Sequence, residues 1–143
     1  MIPNLKWYDT KLDMGCVRKS GYLDEFAIKM TRSDFEADFI KKQYFRDKGI
    51  PDEPDWGRKV GDKHTMLHDG DGFPSRFYFV LKEGIATSEE VPDEYGLIWI
   101  TKRGTWIERE AILLHNRKLC LKTQLNFATQ LNHSWWDKFM KEN

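Results

Sequence analysis

The sequence predicts one mixed α/β domain, a central sheet flanked by helices, spanning residues 1–143. Three observations predict it. The 143 residues are the size of a single domain and can bury a core without disulfides or metals. Short β-favouring runs recur between glycine-containing turns. Two segments, one after the first hairpin and one at the end, carry apolar residues at helical spacing. Together they give the order β-β-α-loop-β-β-β-α, a layered arrangement.

Leu12 to Arg18 reads as a short strand, Lys19-Ser20-Gly21 as a turn in which Gly21 supplies a positive φ, and Tyr22 to Thr31 as the returning strand. Its alternation sends Phe26, Ile28 and Met30 to one side, read as core, and Glu25, Ala27, Lys29 and Thr31 to a polar side. A helix then runs from Ser33, its N-cap in a capping box with Glu36, to about Lys48 before Gly49 and Pro51. Residues 50–75 show no useful period and read as a long connection, functional or mobile. Arg76 to Leu81 is strongly β-forming, Tyr95 to Ile100 is the next strand, Lys102-Arg103-Gly104 a hairpin turn, and Thr105 to Arg109 the return. A final helix, Arg117 to Met140, presents Leu121, Leu125, Ala128, Leu131, Trp135 and Phe139 for packing.

Lys+Arg equals Asp+Glu at 23 each, so net charge neither requires nor excludes a nucleic-acid partner. The basic residues crowd the first half. No apolar run approaches a membrane span and the N-terminus lacks the regions of a signal peptide, which predicts no membrane association. Cys16 and Cys120 are too few and too far apart for a disulfide framework. These features predict a soluble, cytoplasmic protein with reduced thiols.

The first hairpin can carry chemistry. A turn centred near Ser20 sets residue 13 opposite residue 27 or 28, so Asp13 projects beside Lys29 if it shares that face. An acid on one strand facing acid-x-Lys on the next can hold Mg²⁺ against a phosphate, while the lysine orients water or offsets developing charge. Asp13 and Lys29 are present, but position 27 is alanine. The plainer reading of Asp13 and Lys29 is a cross-strand ion pair.

Asp13 followed by Phe26-Ala27-Ile28-Lys29 resembles the hairpin of the PD-(D/E)XK nuclease superfamily, with Ala27 in place of the Asp or Glu. The run from Thr31 to Asp38, then Lys41, is similar to the MmcB-like DNA-repair branch and its uncharacterised phage and bacterial relatives. Arg76 to Val80, Val91-Pro92, Gly96 to Ile98 and Leu114 to Leu119 extend the resemblance over about residues 7 to 136. It implies a restriction-endonuclease-like fold and hydrolysis of DNA phosphodiesters with Mg²⁺ or Mn²⁺. It assigns catalysis to Asp13 and Lys29, with Ala27 at the missing acid, and metal binding to Asp13 and to the backbone carbonyl of Ile28. Three explanations of Ala27 stay open: an engineered knock-out, a natural loss, or transfer of the acid to Glu25, about 6–7 Å along the strand. The chain as written is expected to be inactive or impaired. The alternative is a non-catalytic nuclease-fold protein that binds DNA or a protein partner.

Candidate nucleic-acid contacts are Arg32, Lys41, Lys42, His64 and Arg76. Lys41 and Lys42 have a plainer reading as a solvated face, and Arg76 as an ion pair. His64 and His68 have metal-ligand spacing but no third ligand, so His64 reads better as a loop residue touching substrate. Asp34 suits a helix N-terminus, and Asp38 reads as a supporting residue rather than a ligand. Asp69-Gly70-Asp71-Gly72 reads as a turn. Trp135-Trp136 could stack on bases, although one of the pair reads as core. Nucleases of this fold often pair to cut two strands, so a homodimer is compatible with the chain without being required.

Overall fold

The computed structural model describes residues 2–3, 6–7, 10–11, 13–40, 42–46, 58–70 and 74–130. Its centre is a six-stranded sheet built, in spatial order, of β1 (Ile2–Pro3), β4 (Met14–Val17), β5 (Leu23–Lys29), β8 (Arg76–Lys82), β9 (Gly96–Thr101) and β10 (Gly104–Arg109). β5, β8 and β9 run parallel; β1, β4 and β10 join antiparallel at the two sides. Two antiparallel ribbons lie outside it: β2 (Lys6–Trp7) with β3 (Thr10–Lys11), and β6 (Lys42–Arg46) with β7 (Arg58–Asp62). Among the described residues the α-helices are α1 (Arg32–Asp38), α2 (Lys63–His68) and α3, residues 121–130. The fold is α/β with a mixed sheet, as expected of a restriction-endonuclease-like domain. No helix of the described residues is long and apolar enough to cross a membrane.

The parallel strands explain the core. A parallel strand is covered on both faces and reads as an apolar run, which Arg76 to Lys82 does. Phe77, Phe79 and Leu81 are fully buried, and Ala27, Phe35, Leu67, Val91, Tyr95 and Leu97 pack with them. The first hairpin forms where expected: Gly21 has φ +92° at its turn, and Met14 pairs with Phe26. Gly104 closes the β9–β10 hairpin at φ +123°.

The core side of β5 is the reverse of the expected one. Glu25, Ala27 and Lys29 lie beside Phe77, Phe79 and Leu81 in register, facing the main core, whereas Ile28 and Met30 are 37% and 49% exposed. Phe26, on the opposite face, stacks on Tyr78 with ring centroids 4.9 Å apart. The polar residues mark the buried side because α1 and α2 bring them ionic partners.

α1 is shorter than its periodicity predicts. Its N-cap is Thr31, not Ser33: the Thr31 hydroxyl accepts from the Asp34 amide at 3.1 Å, and Glu36 binds Arg32 instead of closing a capping box. The helix ends at Asp38, and Phe39 turns edge-on to Phe35 at 5.1 Å. Residues 42–46 leave the helical pattern to pair with β7, as the β-favouring Gln43-Tyr44-Phe45 run allows. Residues 50–75, expected as loop, contain β7 and α2. In α3, Thr123 and Phe127 are buried one turn apart, while Leu121 and Leu125 of the expected stripe are 71% and 59% exposed. Residues 117–120 precede the helix, and Leu131, Trp135, Trp136 and Phe139 lie outside the described residues.

Candidate functional site: a buried, charge-balanced centre

β5, α1 and α2 converge on one ionic cluster. Glu25 and Lys29 flank Ala27 on the buried side of β5, Asp38 ends α1, and Lys63-His64 opens α2. Lys29 Nζ lies 3.1 Å from Asp38 Oδ1. Lys63 Nζ lies 3.3 Å from the same oxygen and 3.0 Å from Glu25 Oε2. His64 Nε2 stands 2.6 Å from Asp38 Oδ2, and His64 Nδ1 stands 2.8 Å from the Tyr95 hydroxyl. The walls are aromatic: the His64 ring lies 4.6 Å from Phe39 and is stacked with Phe79 at 5.7 Å, and Lys63 Nζ sits 4.8 Å from the centre of Phe77.

The electrostatics follow from that enclosure. Burial alone would raise the pKa of the fully buried Asp38. The His64 hydrogen bond and the Lys63 and Lys29 charges overcome it and hold the carboxyl well below the usual range. Burial opposes the charge on Lys63, yet Glu25 and Asp38 raise its pKa. Burial pushes the Tyr95 phenol up, so it stays a hydroxyl within hydrogen-bond distance of His64 Nδ1. Two carboxylates, Glu25 and Asp38, face two ammoniums, Lys29 and Lys63. Glu25 Oε1 is buried without a hydrogen-bond partner.

Of the expected catalytic set, Asp13 comes to position 27 whereas Lys29 pairs elsewhere. Asp13 is exposed and its Oδ2 accepts from the Ile28 amide at 3.0 Å, next to position 27 as the register implies. Lys29 turns to Asp38, not to Asp13. Ala27 is 2% exposed inside the core cluster. Among the described residues no three His, Cys, Asp or Glu side chains converge to hold a metal ion. Asp13 is taken by an amide, position 27 has no oxygen, and Glu25 and Asp38 already face ammonium groups. These residues do not fit the Mg²⁺ or Mn²⁺ centre implied by the resemblance.

The expected nucleic-acid contacts also disperse. Arg32 binds Glu36 at 2.8 Å, Glu90, and the Ile85 carbonyl at 3.2 Å. His64 belongs to the buried centre, not to a loop. His68, on the same helix, faces out and binds Glu94 at 2.9 Å, so the two histidines share no ligand. Arg76 lies 3.8 Å from Asp24, whose carboxyl burial pushes up against the opposing pull of Arg18 and Arg76. Lys41 lies outside the described residues, and of Lys42 only its place in β6 is described. Sequence reasoning missed Lys63 and Tyr95. The adjacent Lys63-His64 pair was the available signal for the first; nothing local marked the second.

A different surface carries exposed cations and aromatic groups. Trp106 on β10 faces Trp99 on β9 and is 61% exposed. With Glu83, Gly84, Ala86 and Thr101 the two indoles line an open depression of about 220 Å³. Lys102 and Arg103 stand exposed at the turn beside it.

No protein-family model and no curated protein matches the chain. A solved structure does: it is described as the SPO1766 protein of unknown function from Silicibacter pomeroyi. It is 14% identical, covers 96% of this chain and 75% of its own, and superposes with a TM-score of 0.60. That likeness supports the α/β fold alone.

Proposed function

We propose that this chain is a nuclease-fold protein of the PD-(D/E)XK kind that binds DNA without hydrolysing it. The observation that carries the reading is the state of β5: Ala27 fills a core position between Glu25 and Lys29, and Lys29 is committed to Asp38. A lysine held by a buried carboxylate is not free to position water against a phosphate. The grip on DNA falls to the β9–β10 hairpin, where Lys102 and Arg103 meet phosphates and Trp106 offers a stacking face. A cytoplasmic setting, with Cys16 and Cys120 as reduced thiols, suits such a ligand.

The test is fluorescence anisotropy of labelled single-stranded and duplex DNA across a salt series. Binding should weaken linearly on a log–log salt plot, and losing Lys102 and Arg103 together should make the slope shallower by about 1–2 units. Trp106→Ala should cost about 1–3 kcal/mol on the single strand. DNA binding that is absent, or insensitive to salt, overturns the proposal.

A second reading, a Mg²⁺- or Mn²⁺-dependent nuclease disabled at position 27, draws on one observation. Asp13 sits at the Ile28 amide, beside the place where the missing acid would stand.

A further inference from the structure

We infer that Lys63 is a built-in cation occupying a latent divalent-cation site formed by Glu25 and Asp38. Its ammonium nitrogen lies between Glu25 Oε2 at 3.0 Å and Asp38 Oδ1 at 3.3 Å, and its side chain is 5% exposed. Carboxylates from a strand and from a helix thus converge on one positive atom. Glu25 adds a second, independent sign: its Oε1 is buried in the same enclosure with no hydrogen-bond partner, an acceptor that Lys63 does not use.

The charge balance favours the substitution of one cation for another. Without Lys63, Glu25 loses the ammonium it faces while Asp38 keeps Lys29 and His64, and a buried centre with an uncompensated carboxylate must take up a proton or a cation. Two hard carboxylate oxygens select Mg²⁺ or Mn²⁺, and water in the volume vacated by the lysine stem completes the shell. Metal–oxygen bonds near 2.0–2.2 Å are shorter than the present nitrogen–oxygen contacts, so the two carboxylates would close inward by about 1 Å each. The inference stands whether or not the chain binds DNA. It says that the native centre needs no free metal, because its cation is covalently attached.

The experiment compares wild-type protein with Lys63→Ala by thermal unfolding and Mn²⁺ titration. Wild type should melt at the same temperature in EDTA, Mg²⁺ or Mn²⁺ and bind no ion at this centre. K63A should melt lower in EDTA and bind one Mn²⁺ per chain. Its melting temperature should rise with the logarithm of Mn²⁺ concentration, as a ligand specific to the folded state requires. Adding Glu25→Gln to K63A should abolish that rise. Lys63→Met, which fills the space without charge, should be destabilised and unresponsive to Mn²⁺. If K63A does not fold in EDTA, refolding in Mn²⁺ makes the same comparison. A folded K63A that ignores Mn²⁺, a K63A that fails to fold in both media, or a wild-type Mn²⁺ site removed by Asp38→Asn would each overturn the inference.

Discussion

Asp38 shows how far one residue's role depends on partners distant in sequence. Its position on α1 could be read from the chain, one helical turn after Asp34. Its contacts with Lys29, Lys63 and His64 could not, because they require α2 to fold against β5. Its folded-state pKa is depressed, so at acid pH the unfolded chain binds the extra proton. The stability that Asp38 contributes is therefore complete above the ordinary carboxylate pKa of about 4 and drains away as pH falls below it. Asp38→Asn should cost about 3–5 kcal/mol near neutral pH by leaving two buried ammoniums under-compensated. Denaturant melts from pH 7 to pH 3 check both points: the gap between wild type and D38N should narrow toward acid. A constant gap would show that another group drives the acid loss.

At the scale of elements, turns and strands were legible because glycine placement and β-branched or aromatic runs act locally. Gly21, Gly104 and the Arg76 to Lys82 run fall where expected. The inside of β5 was not, since alternation assigns polar residues to solvent, and here Glu25 and Lys29 are inside with partners from other elements. The end of α1 was hidden for a related reason: tertiary pairing of β6 with β7 overrides a helical pattern. Two substitutions probe these local choices. Thr31→Ala removes the N-cap of α1 and should cost about 1 kcal/mol, read as a lower denaturation midpoint with unchanged slope. Gly96→Ala should do more harm. A Cβ there would stand 2.1 Å from Cδ1 of Tyr78, whose ring is held by the stack on Phe26 and by its hydroxyl donating to Glu110 at 2.8 Å. Overpacking of that kind costs about 1–3 kcal/mol. Pairing Gly96→Ala with Tyr78→Ala should cost less than the sum of the two single losses. Additive losses would mean that the ring and the glycine do not constrain each other.

For the molecule as a whole, the layered fold was legible in the sequence, whereas the buried surroundings of Ala27 were not. Read alone, that alanine is a gap in a metal site; within the fold it is packing between two buried charges. The two readings of function part at this position. Ala27→Glu would bring a third carboxylate to a centre that holds two carboxylates against two ammoniums, among Phe35, Phe77 and Phe79. An uncompensated buried charge costs about 3–5 kcal/mol, so A27E should melt well below wild type and cut no plasmid with Mg²⁺ or Mn²⁺. The outcome that would reverse the argument is equally definite. If A27E keeps its stability and nicks DNA in a metal-dependent way, and Asp13→Ala or Lys29→Ala then abolishes the cutting, the centre can open to a metal. The chain would then be a disabled nuclease, not a binding protein. The DNA affinity of the β9–β10 hairpin, measured on the same variant, separates the cases further. A binding protein should keep it unchanged when position 27 is altered, because the hairpin and β5 share no charged contact in the ion pairs described.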